Sequence, residues 1–325
     1  MQYVTYNGVS SSMKKVKCGV PQGSILGPIL FLIYINDLAG ICKNVFSIFF
    51  ADDSNIFKNG KDLKNIQSVI NTELEEISDW LNVNKLFMNV SKTQYMVFSG
   101  KKMEDCQITL SINQMPLTRV FKSKFLGVII DDKLTFKDHI AHVSSKVAKG
   151  IGILCKARRV LNRDSLITLY YSFIYPHLSY CNQIWGNLSL NALKRLDILQ
   201  KRAIRIICGV HPRTHTLPLF KQLHILNLVQ INKFLIGQMM FKFHKEQLPY
   251  VMSNLFQYNR EFHEYQTRHS NFLHLPKFKS ELGKRSLAFW GAKVWNSILS
   301  IGVTLDVEPI TFKHTLRKIA LSDRI

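Results

Sequence analysis

Two adjacent carboxylates, Asp52 and Asp53, lie in Ser47-Ile48-Phe49-Phe50-Ala51-Asp52-Asp53-Ser54-Asn55-Ile56-Phe57, with an apolar run leading in and a second leading out. Like charges side by side at the end of a buried strand repel each other and lose hydration, and a divalent cation between them relieves both costs. Hard cations such as Mg²⁺ take oxygen ligands, so the chemistry this pair suggests is metal-assisted. Adjacent acids are also common in turns. Asp131-Asp132 follows an apolar strand too, and reads as a turn leading into a helix. Other segments carry groups of interest. In Pro21-Gln22-Gly23-Ser24, Pro21 fixes one dihedral, Gly23 permits close backbone approach, and Ser24 can cap the apolar helix that follows. Lys92, in Asn89-Val90-Ser91-Lys92-Thr93, precedes an apolar strand and on its own reads as a solvated loop lysine. Phe125-Leu126-Gly127 reads as a buried strand with a glycine bulge.

The elements that must position these groups follow from periodicity. Tyr3-Val4-Thr5-Tyr6 is β-prone, Asn7-Gly8 is a turn dipeptide, and Val16 to Val20 resumes extended structure. A helix is predicted from Ser24 to Leu38, then a strand from Val45 to Ala51 carrying the acids at its tip and pairing with Asn55 to Lys58. Leu63, Ile66, Ile70, Leu74, Ile77 and Leu81 recur at steps of three and four, which predicts a helix over Lys61 to Asn84. Strands are predicted at Tyr95 to Ser99 and Phe125 to Ile130, with a hairpin around Asn113-Gln114 between them. Beyond Asp132 the pattern turns helical, with segments at Leu134 to Leu161, Ser165 to Tyr175 and Ala192 to Cys208, stopped by Gly209, and a last helix over Lys284 to Leu299.

Charge divides along the same line. The chain of 325 residues has a net charge of +21; residues 1–150 hold 18 basic and 13 acidic groups, residues 151–325 the other 25 and 9. A basic second half indicates a polyanion-binding surface. Within it, the helix Ala192 to Cys208 has one apolar face and one basic face formed by Lys194, Arg195, Lys201, Arg202 and Arg205, which reads as a phosphate-tracking helix. The six cysteines form no C-x-x-C pair, so neither a disulfide framework nor a zinc ribbon is indicated. The strongest apolar run, Ile25 to Ile35, contains Gly27-Pro28 and is too short to span a bilayer. With no signal architecture at Met1, an intracellular location in cytoplasm or nucleus is expected, with no membrane partner.

The aromatic-Ala-Asp-Asp tetrad on a hairpin, preceded by Pro21-Gln22-Gly23, resembles the palm of a reverse transcriptase, and more closely the C-terminal part of the polymerase of a non-LTR, LINE-type, jockey-like retrotransposon. Leu169-Tyr170-Tyr171-Ser172-Phe173-Ile174-Tyr175-Pro176-His177-Leu178 with Trp185-Gly186 resembles the thumb of those elements, and Arg268-His269 through Gly283-Lys284-Arg285-Ser286 to Trp290 and Trp295-Asn296 their C-terminal tail. The resemblance implies an α+β fold: a partial polymerase palm, an antiparallel sheet with packed helices, over 1–132, a helical thumb-like region over 133–248, and a basic, aromatic tail over 249–325. It implies RNA-directed DNA polymerase activity with Mg²⁺ or Mn²⁺, an RNA template, a DNA primer and deoxynucleoside triphosphates. Asp52 would be the direct metal ligand and Asp53 a supporting one. Lys92 would approach the triphosphate, Pro21, Gln22, Gly23 and Ser24 would lie against the nascent base pair, and Phe125, Leu126 and Gly127 would form the primer grip.

Active palms of this kind carry a further aspartate on an earlier strand, ahead of the segment with which this chain opens. The expectation is a truncated palm that does not polymerise alone. The alternative reading is a non-catalytic, nucleic-acid-binding remnant of a retroelement.

Overall fold

The computed structural model describes residues 1–15, 19–21, 23–99, 108–262 and 270–322. The chain divides into two compact units, Met1–Lys122 and Ser123–Ile325.

The first unit opens with a hairpin, β1 (Thr5–Tyr6) and β2 (Val9–Ser10), turning through Asn7 and Gly8, both at positive φ. Its residues are exposed. α1 (Leu26–Ile35) and α2 (Leu38–Ile41) follow, then the antiparallel pair β3 (Phe46–Phe50) and β4 (Asp53–Phe57). α3 (Leu63–Val83) matches its predicted span to within two residues, with Asp62 capping its first turn. Strands β5 (Gln94–Tyr95), β6 (Ser111–Ile112), β7 (Met115–Pro116) and β8 (Thr118–Arg119) complete the unit. β6 and β7 form the predicted hairpin around Asn113-Gln114, while β5 and β8 pair in parallel. The core is small: Ile35, Leu38 and Ile77, with Phe31, Phe49, Ile56, Trp80 and Leu81 packed against them.

The α+β character stands, but the sheet is reduced. Among the described residues every sheet is two-stranded. The strand carrying the acids is not buried on both faces: Phe49 and Ile56 meet the core, while Phe46 and Phe50 remain 50% and 60% exposed. A lone ribbon has one face to pack and one left over. The same holds for α1, whose apolar residues run all round it, so that Leu26, Leu32 and Ile33 stay exposed within their unit.

The second unit is a helical assembly behind one hairpin, β9 (Lys122–Phe125) and β10 (Val128–Asp131). Phe125 to Ile130 was expected as a single strand. Leu126 and Gly127, at φ 42° and 86°, fold it back instead. Then come α4 (Lys137–Ala157), α5 (Arg163–Phe173), α6 (Tyr175–Ser179), α7 (Asn182–Trp185), α8 (Leu190–Cys208), α9 (Leu217–Gln222), α10 (Leu228–His244), α11 (Tyr250–Ser253), α12 (Glu281–Lys284), α13 (Leu287–Ser300) and α14 (Pro309–Leu321). α4 packs along α8, and α10 against α13 and α14. α10 is apolar almost all round and lies in the core, with Ile231, Ile236 and Met240 fully buried. That is why amphipathic period did not reveal it. The helix expected over Lys284 to Leu299 is not the last, since α14 follows. Trp295 is fully buried, and Trp290 Nε1 donates to Asn232 Oδ1 at 2.8 Å, so both tryptophans belong to the core.

Candidate functional site

The β3–β4 ribbon turns through Ala51 and Asp52, with Phe50 paired to Asp53. Ala51 sits in the left-handed region at φ 52°, which an L side chain reaches only at a cost of about 1 kcal/mol. The tight turn lifts both acids clear of the core, and Asp52 and Asp53 are exposed. The burial cost expected from the sequence therefore does not arise here. Two hydrated carboxylates at a hairpin tip suit an ion such as Mg²⁺, which keeps several waters and uses one or two protein carboxylates plus substrate phosphates. Among the described residues no cluster of three or more His, Cys, Asp or Glu could hold a metal ion.

The other end of the ribbon is pinned. Asn44, just before β3, donates from its backbone N and its Nδ2 to Glu73 Oε1 on α3, at 2.8 and 2.9 Å. Lys58, just after β4, donates to the Asn44 carbonyl at 2.7 Å. α3 also holds the next hairpin: Asn71 Oδ1 accepts from Ser111 N at 3.2 Å, and Ser78 meets Asn113. One helix thus orients the β3–β4 and β6–β7 hairpins.

At the Pro21 loop, Ser24 N donates to the Pro21 carbonyl at 3.2 Å and Ser24 Oγ accepts from Gly27 N at 3.1 Å. Ser24 thus bonds the first turn of α1 from outside it, while the N-cap position itself is Ile25, which has no side-chain cap. Gly23 is at φ 82°, a conformation that favours glycine. Gln22 lies outside the described residues. Lys92 is exposed at the end of a short 3-10 turn, Val90–Lys92, and its backbone N–H donates to Asn89 Oδ1 at 3.2 Å.

Phe125, Leu126 and Gly127 lie in the second unit, at the turn of β9–β10. Tyr180 covers that turn: its hydroxyl donates to the Leu126 carbonyl at 2.5 Å, and a Cβ on Gly127 would sit 3.2 Å from its ring. Asp131 is not a metal ligand candidate here. Its carboxylate accepts from the backbone N–H groups of Lys133, Thr135 and Phe136 and from the Thr135 hydroxyl, which is the turn into a helix expected for it.

The basic face of α8 divides in two. Lys194, Arg195 and Arg202 are exposed. Lys201 is paired with Asp197 at 2.6 Å, and Arg205 Nε donates to the Thr214 carbonyl at 2.8 Å. The fold adds cations that helical period does not connect: Arg213, from the loop after α8, and Lys233 of α10 line a cavity with Lys201 and Arg205. Residues 123–325 hold 30 basic and 12 acidic groups, against 13 and 10 in residues 1–122, so the excess lies in the helical unit.

A paired-acid hairpin and a Pro-Gly loop ahead of an apolar helix stand in the first unit, and a strongly basic helical unit follows. Residues 1–130 match the family of reverse transcriptases (RNA-dependent DNA polymerases). The chain is 29% identical over 217 residues to the RNA-directed DNA polymerase from mobile element jockey of Drosophila funebris, covering 63% of this chain and 23% of that protein. It is 28% identical over 214 residues to the probable RNA-directed DNA polymerase from transposon X-element of Drosophila melanogaster, again 63% and 23%. It is 32% identical over 182 residues to the Pol polyprotein from type-1 retrotransposable element R1 2 of Nasonia vitripennis, 51% of this chain and 43% of that one. The similarity over residues 1–130 is thus to reverse transcriptases, and among the relatives to those of non-LTR retrotransposons of the jockey and R1 type. The chain spans about a quarter of the length of the jockey-type relatives it matches. Among the described residues no helix is long and apolar enough to cross a membrane.

Proposed function

We propose that this chain supplies part of the palm and the nucleic-acid-gripping helical region of an RNA-directed DNA polymerase, acting on an RNA template, a DNA primer and deoxynucleoside triphosphates. The observation that carries the reading is the exposed Asp52-Asp53 pair at the turn of a ribbon within the family-matched segment. Asp52 would hold Mg²⁺ or Mn²⁺ directly, with Asp53 in support. When bound, such ions offset charge on the attacking 3′-oxygen and on the leaving pyrophosphate. Lys92, on its exposed turn, would meet the triphosphate as a compact cation. Pro21, Gln22, Gly23 and Ser24 would face the nascent pair, and Phe125, Leu126 and Gly127 the primer. Lys194, Arg195 and Arg202 on α8 are open to phosphates, with Lys201 and Arg205 beside them. The division into a palm over 1–132, a thumb-like region over 133–248 and a tail over 249–325 belongs to the same reading.

A second reading, a binding protein without catalysis of its own, is favoured by one fact. Two carboxylates make an incomplete ligand set, and among the described residues no third joins them. Primer extension on an RNA template with Mg²⁺ or Mn²⁺ separates the two. The expected result for these 325 residues alone is no synthesis, because a missing ligand misplaces the reactants and lowers the rate by orders of magnitude. Template-dependent synthesis lost in Asp52→Asn would establish the full enzyme and dismiss the binding reading.

A further inference from the structure

Within the second unit lies a cavity of about 550 Å³ walled by Lys201 and Arg205 of α8, Arg213 and His215 of the following loop, and Lys233 of α10. Its acidic group, Asp197, is already engaged by Lys201 at 2.6 Å. Arg205 is aimed: Nε is committed to the Thr214 carbonyl at 2.8 Å, which fixes the guanidinium plane and leaves its two terminal nitrogens for another acceptor. Arg213 is exposed, and no carboxylate pairs with it among the described residues. The first turn of α10, through Asn227 and Gln230, opens on the same space and brings the positive end of a 17-residue helix.

Arg205 and Arg213, two guanidinium groups lining one cavity, repel each other unless an anion joins them. A pre-oriented guanidinium fork fits the paired oxygens of a phosphate. The volume lies in the range that admits a whole small group rather than a bare ion, so an adjoining sugar or base has room. We propose that this cavity is a phosphate seat for a nucleic-acid strand, in which Arg205 and Arg213 grip one phosphate and its nucleotide enters the cavity. The proposal rests on the reading that the helical unit binds nucleic acid, and it goes further: it names a discrete site that Lys194 and Arg195 do not line, and draws in Arg213, His215 and Lys233.

The test is binding of a short fluorescein-labelled RNA–DNA hybrid to the full chain, across a range of salt concentration. Arg213→Gln is expected to weaken binding about tenfold, the size of one charge-assisted contact, and to make the log-log salt slope shallower by about 1. Arg205→Lys keeps the charge, removes the fork, and is expected to weaken binding severalfold. Inorganic phosphate should compete with the hybrid for wild type and lose that effect in Arg213→Gln, with sulfate at equal ionic strength as the control. A 5′-phosphorylated hybrid binding better than its 5′-hydroxyl counterpart would assign the seat to a strand end; equal binding would assign it to the backbone. Wild-type affinity and slope in both arginine variants would overturn the proposal. Loss of binding confined to Lys194→Gln with Arg195→Gln would leave the broader reading standing without the cavity. Failure of the wild-type chain to bind the hybrid at all would sink both.

Discussion

Glu73 and Asn44 form the tie on which the acid hairpin stands. The carboxylate, buried to 1% exposure on α3, receives both the backbone N–H and the side-chain amide of Asn44 on one oxygen. The other oxygen, Oε2, is buried with no hydrogen-bond partner. Hydrogen bonds to a charged acceptor contribute about 1.5–3 kcal/mol each, and two are shared here. Glu73→Ala should lower stability by about 2–3 kcal/mol, read as a reduced urea midpoint. An unchanged midpoint would show that the ribbon does not depend on this foot.

The two aspartate pairs should respond in opposite ways. Asp52 is exposed and bonds to no side chain among the described residues, so Asp52→Asn should alter stability by no more than about 0.5 kcal/mol. It should nevertheless weaken Mn²⁺ binding, followed by electron paramagnetic resonance, by about tenfold. Asp131→Ala removes the acceptor for four donors at the start of α4 and should cost about 2–3 kcal/mol, with Mn²⁺ binding intact. A loss of Mn²⁺ in the second variant alone would reverse the assignment.

His139 predicts an acid-sensitive second unit. The ring is 2% exposed, stands edge-on to Trp185 at 5.5 Å, and takes the Ile129 N–H on Nδ1. Nε2 is buried without a partner. Burial, and secondarily repulsion from His142, lower its pKa from 6.5 to about 4. The folded ring thus stays neutral where the unfolded one takes a proton. Stability is complete above about pH 6.5, falls as the pH drops below that, and by about pH 4 has lost about 2–3 kcal/mol. Urea unfolding between pH 7 and pH 4 should trace this fall, and His139→Gln should flatten it.

Gly150 marks where α4 crosses the junction of α5 and α6. A Cβ there would lie 2.8 Å from the Phe173 carbonyl oxygen and from Ile174 Cγ1. Alanine favours a helix by about 1 kcal/mol over glycine, but the obstructing atom is backbone and cannot turn aside. Gly150→Ala should therefore lower the melting temperature, whereas Gly152→Ala, with nothing within 4 Å, should hold or raise it.

The sequence by itself determined the parts whose signal is local. Spacing of Leu63 to Leu81 specifies α3, Asn113-Gln114 specifies a hairpin, and Asp52-Asp53 between apolar runs marks the turn of the β3–β4 ribbon, because each depends on neighbours within a few residues. Asp131-Asp132 carried nearly the same letters. Tertiary structure separated the two pairs, as only one lies where backbone N–H groups converge on it. The same is true of α10, whose all-round apolarity has no period until other helices surround it, and of Glu73, which looks like a surface acid on its helix until Asn44 reaches it. Arg205, Arg213 and Lys233 are scattered in the chain and meet only because α8 and α10 belong to one packed core, with Gln200 of α8 reaching the Leu226 carbonyl just before α10. Local pattern fixes which groups a segment offers; the low-dielectric interior and the crossing of helices decide which are buried, paired or brought together.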